Sequence, residues 1–128
     1  MFRINPASGK AIYEQIMDQV KEAAWKGYLQ PGDALPSIRK LAMNLQVTPN
    51  TVAKAYQMLE KERVIVTMRG KGVFLSEKKS YGIDPGKLED IKENIRGQLL
   101  ELIYLGFDED KILALIDKIY KELEGEEK

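Results

Sequence analysis

The sequence has 128 residues, of which 44% are hydrophobic and 31% are charged, a composition typical of a folded globular protein rather than of a disordered chain. Cysteine and histidine are both absent, which excludes disulfides, thiol catalysis, histidine acid–base chemistry and the common zinc sites. The net charge is zero, but residues 1–77 hold 11 Lys or Arg and 7 Asp or Glu (+4), whereas residues 78–128 hold 9 and 13 (−4), so the two parts are expected to have different partners.

The first predicted element is an amphipathic helix over about residues 10–26. Ile12, Ile16 and Val20 recur at intervals of four residues and give this segment one apolar face. Gly27 follows at the position where a left-handed C-terminal cap is favoured.

Two short helices joined by a tight turn are predicted next. Ser37 is placed to cap a helix over residues 38–45. Thr48-Pro49 predicts the N-cap and first residue of a second helix over residues 49–61, because proline at that position loses no helical hydrogen bond. Tyr56 is expected in the core rather than stacked on a base. The pair is typical of a helix-turn-helix.

A hairpin follows the two short helices. The β-branched run at residues 64–67 and the segment 73–75 predict two strands, and the glycine-rich segment 68–72 predicts the turn between them. Arg69 and Lys71 lie at the tip, so the hairpin is expected to be a cationic wing.

The remaining residues predict a linker and two further amphipathic helices. Residues 77–86 have the polar and turn-forming composition of a linker. Within the region 87–124, Gly106 ends the first helix and Asp108 caps the second. The apolar stripe of the two helices is predicted to mediate dimerisation, and its members are Leu88, Ile91, Ile95, Leu99, Leu102, Ile112, Leu115, Ile116, Ile119 and Leu123.

The stripe needs a partner surface, because two helices alone enclose little core. The favoured partner is the same region of a second chain, related by two-fold symmetry. The alternative is a helical hairpin packed against the first part of its own chain. The predicted fold is therefore mainly α: an α+β winged helix-turn-helix over residues 1–76, the linker over 77–86, and a C-terminal two-helix dimerisation hairpin over 87–124.

In a helix-turn-helix the second helix enters the major groove by its N-terminal end. Asparagine can pair with adenine, threonine can offer a hydroxyl or a methyl group, and free N–H groups at helix starts suit phosphates. The candidate contacts from the two helices are Ser37, Arg39, Thr48, Asn50, Thr51 and Lys54. From the wing, Arg69, Gly70 and Lys71 are candidates for the minor groove, where arginine meets negative potential. Each feature alone is common, and the prediction depends on their order along the chain.

The combined motifs resemble a known family. They are AIYEQI (11–16), GYLQPGD (27–33), LPSIRKLA (35–42), VTPNTV (47–52), AY (55–56) and RGKG (69–72). This pattern resembles the DNA-binding domain of the GntR family of bacterial regulators, and the short C-terminal region resembles the YtrA subfamily. The resemblance implies contacts from the nine residues just named, dimerisation through the C-terminal helices, and frequent association with ABC-transporter operons.

Two residues depart from the family pattern at positions that are usually glycine. Gln46 lies in the turn between the two short helices, so that turn is expected to differ in shape. Arg63 lies at the end of the second helix, where a positive φ would cost about 1 kcal/mol.

The predicted partners are double-stranded DNA and a second copy of the chain; no cofactor or metal is expected, and the effector is unknown. A winged helix used for protein–protein interaction is the main alternative, but it would not need Arg39, Lys54, Arg69 and Lys71 on one face. An enzyme is disfavoured, because the sequence has no nucleophile–base pair and RGKG lacks the spacing of a phosphate-binding loop. No apolar run approaches the roughly 20 residues of a membrane span, so a cytoplasmic protein without a membrane partner is expected.

Overall fold

The computed structural model describes residues 2–77 and 85–125, and the chain divides into two compact units at residues 79 and 80. The first unit contains α1 (Ile12–Lys26), α2 (Ile38–Leu45), α3 (Pro49–Lys61), β1 (Ile65–Met68) and β2 (Gly72–Leu75); the second contains α4 (Pro85–Tyr104) and α5 (Glu109–Glu124). The predicted mainly α fold with a winged helix-turn-helix is confirmed.

The core of the first unit draws side chains from every element. Helices α1 and α2 both pack against α3, and the hairpin closes over the end of α3. The largest fully buried side chains are Ile16, Val20, Leu41, Val52 and Leu59. The predicted core position of Tyr56 is confirmed, because only 4% of it is exposed. Burial of these apolar faces is the main force that holds the three helices together.

The N-terminal segment lies along α1, a feature that the sequence pattern does not reveal. The backbone N–H of Asn5 donates to the Gln15 side-chain oxygen at 2.8 Å, and the N–H of Arg3 donates to the Gln19 oxygen at 2.6 Å. Both glutamine amide nitrogens return hydrogen bonds to backbone carbonyls of the same segment. Helix α1 begins at Ile12, two residues later than predicted, and ends at Lys26; Gly27, with φ 83°, is its left-handed cap, as predicted.

Helices α2 and α3 have the predicted bounds, and both end in a left-handed residue that is not glycine. Gln46 has φ 57° and Arg63 has φ 63°. The N–H of Val47 reaches back to the Ala42 carbonyl, and the N–H of Val64 to the Leu59 carbonyl, which is the Schellman arrangement. The expectation of a differently shaped turn at Gln46 is therefore wrong: the glutamine adopts the conformation that glycine would take.

The wing is attached to the segment between α1 and α2. Strands β1 and β2 pair antiparallel, with Ile65 opposite Leu75. On its other edge β2 meets Ala34: the N–H of Leu35 donates to the Val73 carbonyl, and the N–H of Leu75 to the Asp33 carbonyl, both at 2.8 Å. Strand β2 is thus hydrogen-bonded on both edges, which anchors the base of the hairpin to the first unit.

In the second unit, α4 begins at Pro85. This start lies inside the predicted linker 77–86 and two residues before the predicted helix start, because proline is well suited to the first turn of a helix. The rest of the predicted linker, residues 78–84, lies outside the described residues. Gly106, with φ 100°, ends α4, and the side chain of Asp108 accepts a 2.9 Å hydrogen bond from the N–H of Lys111, so both predicted helix signals are confirmed.

Among the described residues, no helix is both long enough and apolar enough to cross a membrane.

Candidate nucleic-acid interface

The start of α3 presents three of the predicted contact residues. Pro49 is the first helical residue and Thr48 is the N-cap, in the predicted positions. The Thr48 hydroxyl hydrogen-bonds the Thr51 hydroxyl at 3.0 Å, and it makes no capping bond to a backbone N–H. Thr48 and Asn50 are exposed and Thr51 is half-buried. The N–H groups of this first turn are therefore not satisfied by the Thr48 side chain, a geometry that suits an incoming phosphate oxygen.

The start of α2 presents a second group of polar and cationic residues. The Ser37 hydroxyl accepts a 3.1 Å hydrogen bond from the N–H of Lys40, which confirms the predicted cap. Arg39 is exposed. Lys40 is exposed beside Arg39 but was not among the predicted DNA contacts. Its position next to Arg39 in the sequence could have identified it as one. The start of α2 thus offers a hydroxyl group and two positive charges.

Lys54 projects from the second turn of α3 and is exposed. Its ammonium lies 4.2 Å from the centroid of the Tyr13 ring, which belongs to the first turn of α1. This distance is within the range of a cation–π interaction. Tyr13 was not predicted as a functional residue, since its contact with Lys54 joins positions 41 residues apart.

The wing tip is a three-residue turn formed by Arg69, Gly70 and Lys71, all exposed. The N–H of Lys71 donates to the Met68 carbonyl at 2.9 Å and closes the turn. Gly70 has φ 76°, and nothing lies within 4 Å of the place where a Cβ would stand. The glycine is therefore required by its backbone conformation, and the tip leaves open space in which another surface can approach the backbone.

Acidic residues are absent from the sequence around these side chains. Residues 34–59, which span the whole helix-turn-helix, contain no Asp or Glu, and neither do residues 63–76, which span the wing. The basic residues of the first segment are Arg39, Lys40 and Lys54, and those of the second are Arg63, Arg69 and Lys71. The +4 balance of the front part is therefore concentrated where the predicted contacts lie, and the local field favours a polyanion.

The second unit carries a separate candidate surface. Of the predicted dimerisation residues, Ile95 is 50% exposed and Ile116 is 48% exposed, although both are large and apolar. Ile112 is only 8% exposed, so it is buried within its own chain rather than available to a partner. Further exposed apolar side chains, which the predicted stripe omitted, are Leu100, Ile103, Tyr104, Leu105, Leu113 and Tyr120. So extensive an exposed apolar surface on α4 and α5 is typical of an interaction site.

The sequence profile of the family described as "Bacterial regulatory proteins, gntR family" matches residues 12–75 of the chain. The chain belongs to the GntR family. The matched segment runs from the start of α1 to the end of β2 and contains all nine predicted DNA contacts. The GntR prediction and the coarse function that follows from it, a DNA-binding transcription regulator rather than an enzyme, are confirmed.

Relatives extend this similarity beyond the matched segment. The HTH-type transcriptional repressor YtrA of Bacillus subtilis (strain 168) is 41% identical over 128 residues, which is 100% of this chain and 98% of that protein. A crystal structure from Listeria monocytogenes EGD-e, described as a transcriptional antiterminator, is 40% identical with a TM-score of 0.90 and covers 97% of this chain and 92% of its own. YtrA from Sulfolobus acidocaldarius, a GntR-family transcription factor, is 36% identical with a TM-score of 0.61 and covers 75% of this chain and 97% of its own. These matches confirm the YtrA-type assignment within the GntR family.

Proposed function

We propose that this GntR-family protein is a homodimeric repressor that binds a palindromic operator and thereby blocks transcription. The observation that carries the proposal is the placement of four cations on segments free of acidic residues. Arg39 and Lys54 lie in the first two turns of α2 and α3, and Arg69 and Lys71 lie at the wing tip. The full-length similarity to a protein named as a repressor supports this direction of control. A DNA-bound regulator works beside the chromosome, so a cytoplasmic location belongs to the same proposal.

The predicted DNA contacts fall into three groups with different roles in this proposal. Asn50 and Thr51 read base edges in the major groove from the start of α3. Ser37, Arg39, Thr48 and Lys54 bind phosphates or nearby bases, and these contacts fix the register of the protein on the duplex. The wing residues Arg69, Gly70 and Lys71 enter the adjacent minor groove.

Dimerisation through α4 and α5 completes the proposal. The exposed apolar side chains of these helices are covered by a second copy, because so large an apolar surface is costly to leave in water and the resemblance to the YtrA subfamily implies dimerisation through this region. Two-fold symmetry then presents two α3 helices to half-sites about one DNA turn apart. As the family resemblance implies, the regulated operon encodes a transporter.

The deciding experiment is selection of bound duplexes from a random library, followed by mobility shift at several salt concentrations. We expect a palindromic sequence and binding that weakens steeply as salt rises. Asn50→Ala is expected to change the preferred base more than the non-specific affinity, and Arg39→Ala to weaken binding to all duplexes. Gln57→Ala is the matched control, because Gln57 is exposed on a later turn of the same helix. Binding without sequence preference at physiological salt would contradict the proposal.

Repression is tested separately with a reporter gene downstream of the selected operator. Expression is expected to fall when the wild-type protein is produced, and to remain unchanged with the Asn50→Ala variant. Increased expression with the wild-type protein would contradict repression while leaving DNA binding intact.

A further inference from the structure

We propose that Tyr13 is a positioning residue that holds the Lys54 ammonium ready for a DNA phosphate. This inference rests on the proposed function, which assigns Lys54 to the DNA. Its basis is the 4.2 Å distance between the Lys54 ammonium and the Tyr13 ring centroid. The contact joins the first turn of α1 to the DNA-facing side of α3 and therefore depends on the tertiary fold.

The ring is a firm support for a flexible side chain. Tyr13 is half-buried and packs against the core that α1 and α3 share. Lysine has four rotatable side-chain bonds, and holding it in one conformation costs conformational entropy. Because the ring already restricts Lys54 in the free protein, less of that entropy remains to be lost when the phosphate binds.

Lys54 differs from the lysines on and beside α1 in the chemical nature of its partner, which is an aromatic ring rather than a carboxylate. Lys21 pairs with Glu62 at 2.7 Å, Lys26 pairs with Glu22 at 2.8 Å, and Lys10 pairs with Asp18. In the described part of the chain Lys54 makes no ion pair, and its ammonium contacts the neutral ring of Tyr13. A carboxylate would cancel the charge of the ammonium and repel a phosphate. The ring attracts the ammonium while leaving its full charge available.

Positioning of Lys54 requires the ring face of Tyr13 but not its hydroxyl. A direct contact between Tyr13 and DNA would instead use the hydroxyl, so the two roles can be distinguished. Tyr13→Phe keeps the ring face and removes only the hydroxyl. Tyr13→Leu keeps an apolar side chain against the core and removes the ring face. Tyr28→Leu is the control, because Tyr28 lies in the same unit, is 67% exposed and is not part of the proposed interface.

The test is a double-mutant cycle on the full chain, with the selected operator duplex and a scrambled duplex of equal length as probes. Tyr13→Leu is expected to weaken binding to both duplexes about two- to fivefold, the order of the cost of immobilising one flexible side chain on binding. Tyr13→Phe and Tyr28→Leu are expected to leave the affinity unchanged. In a Lys54→Ala background, Tyr13→Leu should cause no further loss, because the residue it positions is gone.

Besides an unchanged affinity of the Tyr13→Leu variant, two results would overturn the inference. One is that the losses from Tyr13→Leu and Lys54→Ala multiply, which would mean that the two residues act independently. The other is that Tyr13→Phe weakens binding as much as Tyr13→Leu, which would assign the effect to the hydroxyl. If Lys54→Ala itself leaves DNA binding unchanged, the assignment of Lys54 in the proposed function fails as well; if Lys54→Ala weakens binding and Tyr13→Leu does not, only the inference fails.

A spectroscopic measurement on the free wild-type protein tests the contact without any variant. An ammonium above the ring places the ε-methylene protons of Lys54 in the shielding region, so their NMR resonance should lie upfield of that of Lys61, an exposed lysine on the same helix. An unshifted Lys54 resonance would contradict the positioning role, whether or not the leucine variant folds.

Discussion

The Tyr56 hydroxyl donates a 2.7 Å hydrogen bond to the backbone carbonyl of Pro36. Pro36 precedes the Ser37 cap of α2, and Tyr56 lies in the middle of α3. The bond therefore ties α3 to the start of α2. Both helix starts carry predicted DNA contacts, so this partly buried hydrogen bond helps to fix the spacing between the two helix starts.

Tyr56→Phe is predicted to lower the free energy of unfolding by about 1 kcal/mol, since it removes one hydrogen bond and leaves the Pro36 carbonyl without its donor. Urea unfolding of the two proteins under identical conditions measures the difference. Tyr28→Phe is the control, because Tyr28 lies in the same unit and is 67% exposed, so this variant should unfold at the wild-type midpoint. Equal stability of the Tyr56→Phe variant and the wild type would show that the bond contributes nothing.

The same tyrosine predicts a pH dependence. Burial raises the pKa of Tyr56 from 10.0 to about 12. The folded state therefore keeps the Tyr56 proton at pH values where the unfolded state has lost it. The contribution of protonated Tyr56 to the free energy of unfolding is complete below pH 10 and declines as the pH rises toward 12. The stability difference between wild type and Tyr56→Phe should shrink across this interval. A difference that stays constant from pH 9 to pH 11 in urea unfolding would contradict this pKa.

Gln46→Gly is predicted to raise the free energy of unfolding by about 1 kcal/mol. Gln46 is exposed and holds a left-handed backbone with φ 57°, a conformation that costs an L-residue roughly 1–2 kcal/mol and a glycine very little. Gln46→Ala is the matched control and should gain nothing, because alanine keeps the same strain. Thermal and urea unfolding provide the measurement; a glycine variant less stable than the alanine variant would refute the strain argument.

The sequence predicts the helix-turn-helix well because its boundaries depend on local chemistry. Ser37 and Thr48-Pro49 mark the starts of α2 and α3, and each start is a property of a few adjacent residues. Gly70 likewise predicts the wing turn, since its φ of 76° is readily available only to glycine. These signals act within one turn and need no knowledge of distant contacts.

Features that depend on distant contacts could not be predicted in this way. Gln15 and Gln19 bind the N-terminal segment through their side-chain amides, and no periodicity identifies their backbone partners. The Lys54–Tyr13 contact also requires the packing of α1 on α3. At Gln46 the residue type indicates a different turn, but the hydrogen bond from Val47 to the Ala42 carbonyl holds the left-handed conformation.

Arg69→Ala and Lys71→Ala are each predicted to weaken binding to the selected operator and to a scrambled duplex. Each variant also removes one cation from the DNA, so the negative slope of log affinity against log salt should become shallower by about 0.9. The control is Lys61→Ala, at the end of α3 that is farthest from the proposed groove contact, about 18 Å along the helix from Pro49. Fluorescence anisotropy at several salt concentrations gives the slopes. Unchanged slopes for both wing variants would exclude the wing from the interface.

The last prediction concerns the apolar surface of the second unit. Ile95→Glu and Ile116→Glu are each predicted to convert a dimer to a monomer, because a charge placed in an apolar interface must be desolvated without a partner. Both side chains are about half exposed within one chain, so the substitutions should leave the fold of the monomer intact, which circular dichroism checks. Lys118→Glu, an exposed charge reversal on α5, should leave the dimer unchanged.

Sedimentation equilibrium of the full chain and its variants measures this assembly, and operator binding measures its consequence. A monomeric variant has only one α3 helix. It should bind a single half-site as tightly as one winged helix-turn-helix of the wild type does, but lose the added affinity that two linked half-sites provide. A wild-type chain that sediments as a monomer would contradict the proposed dimer. A dimer that both glutamate variants preserve would place the interface outside the exposed faces of α4 and α5.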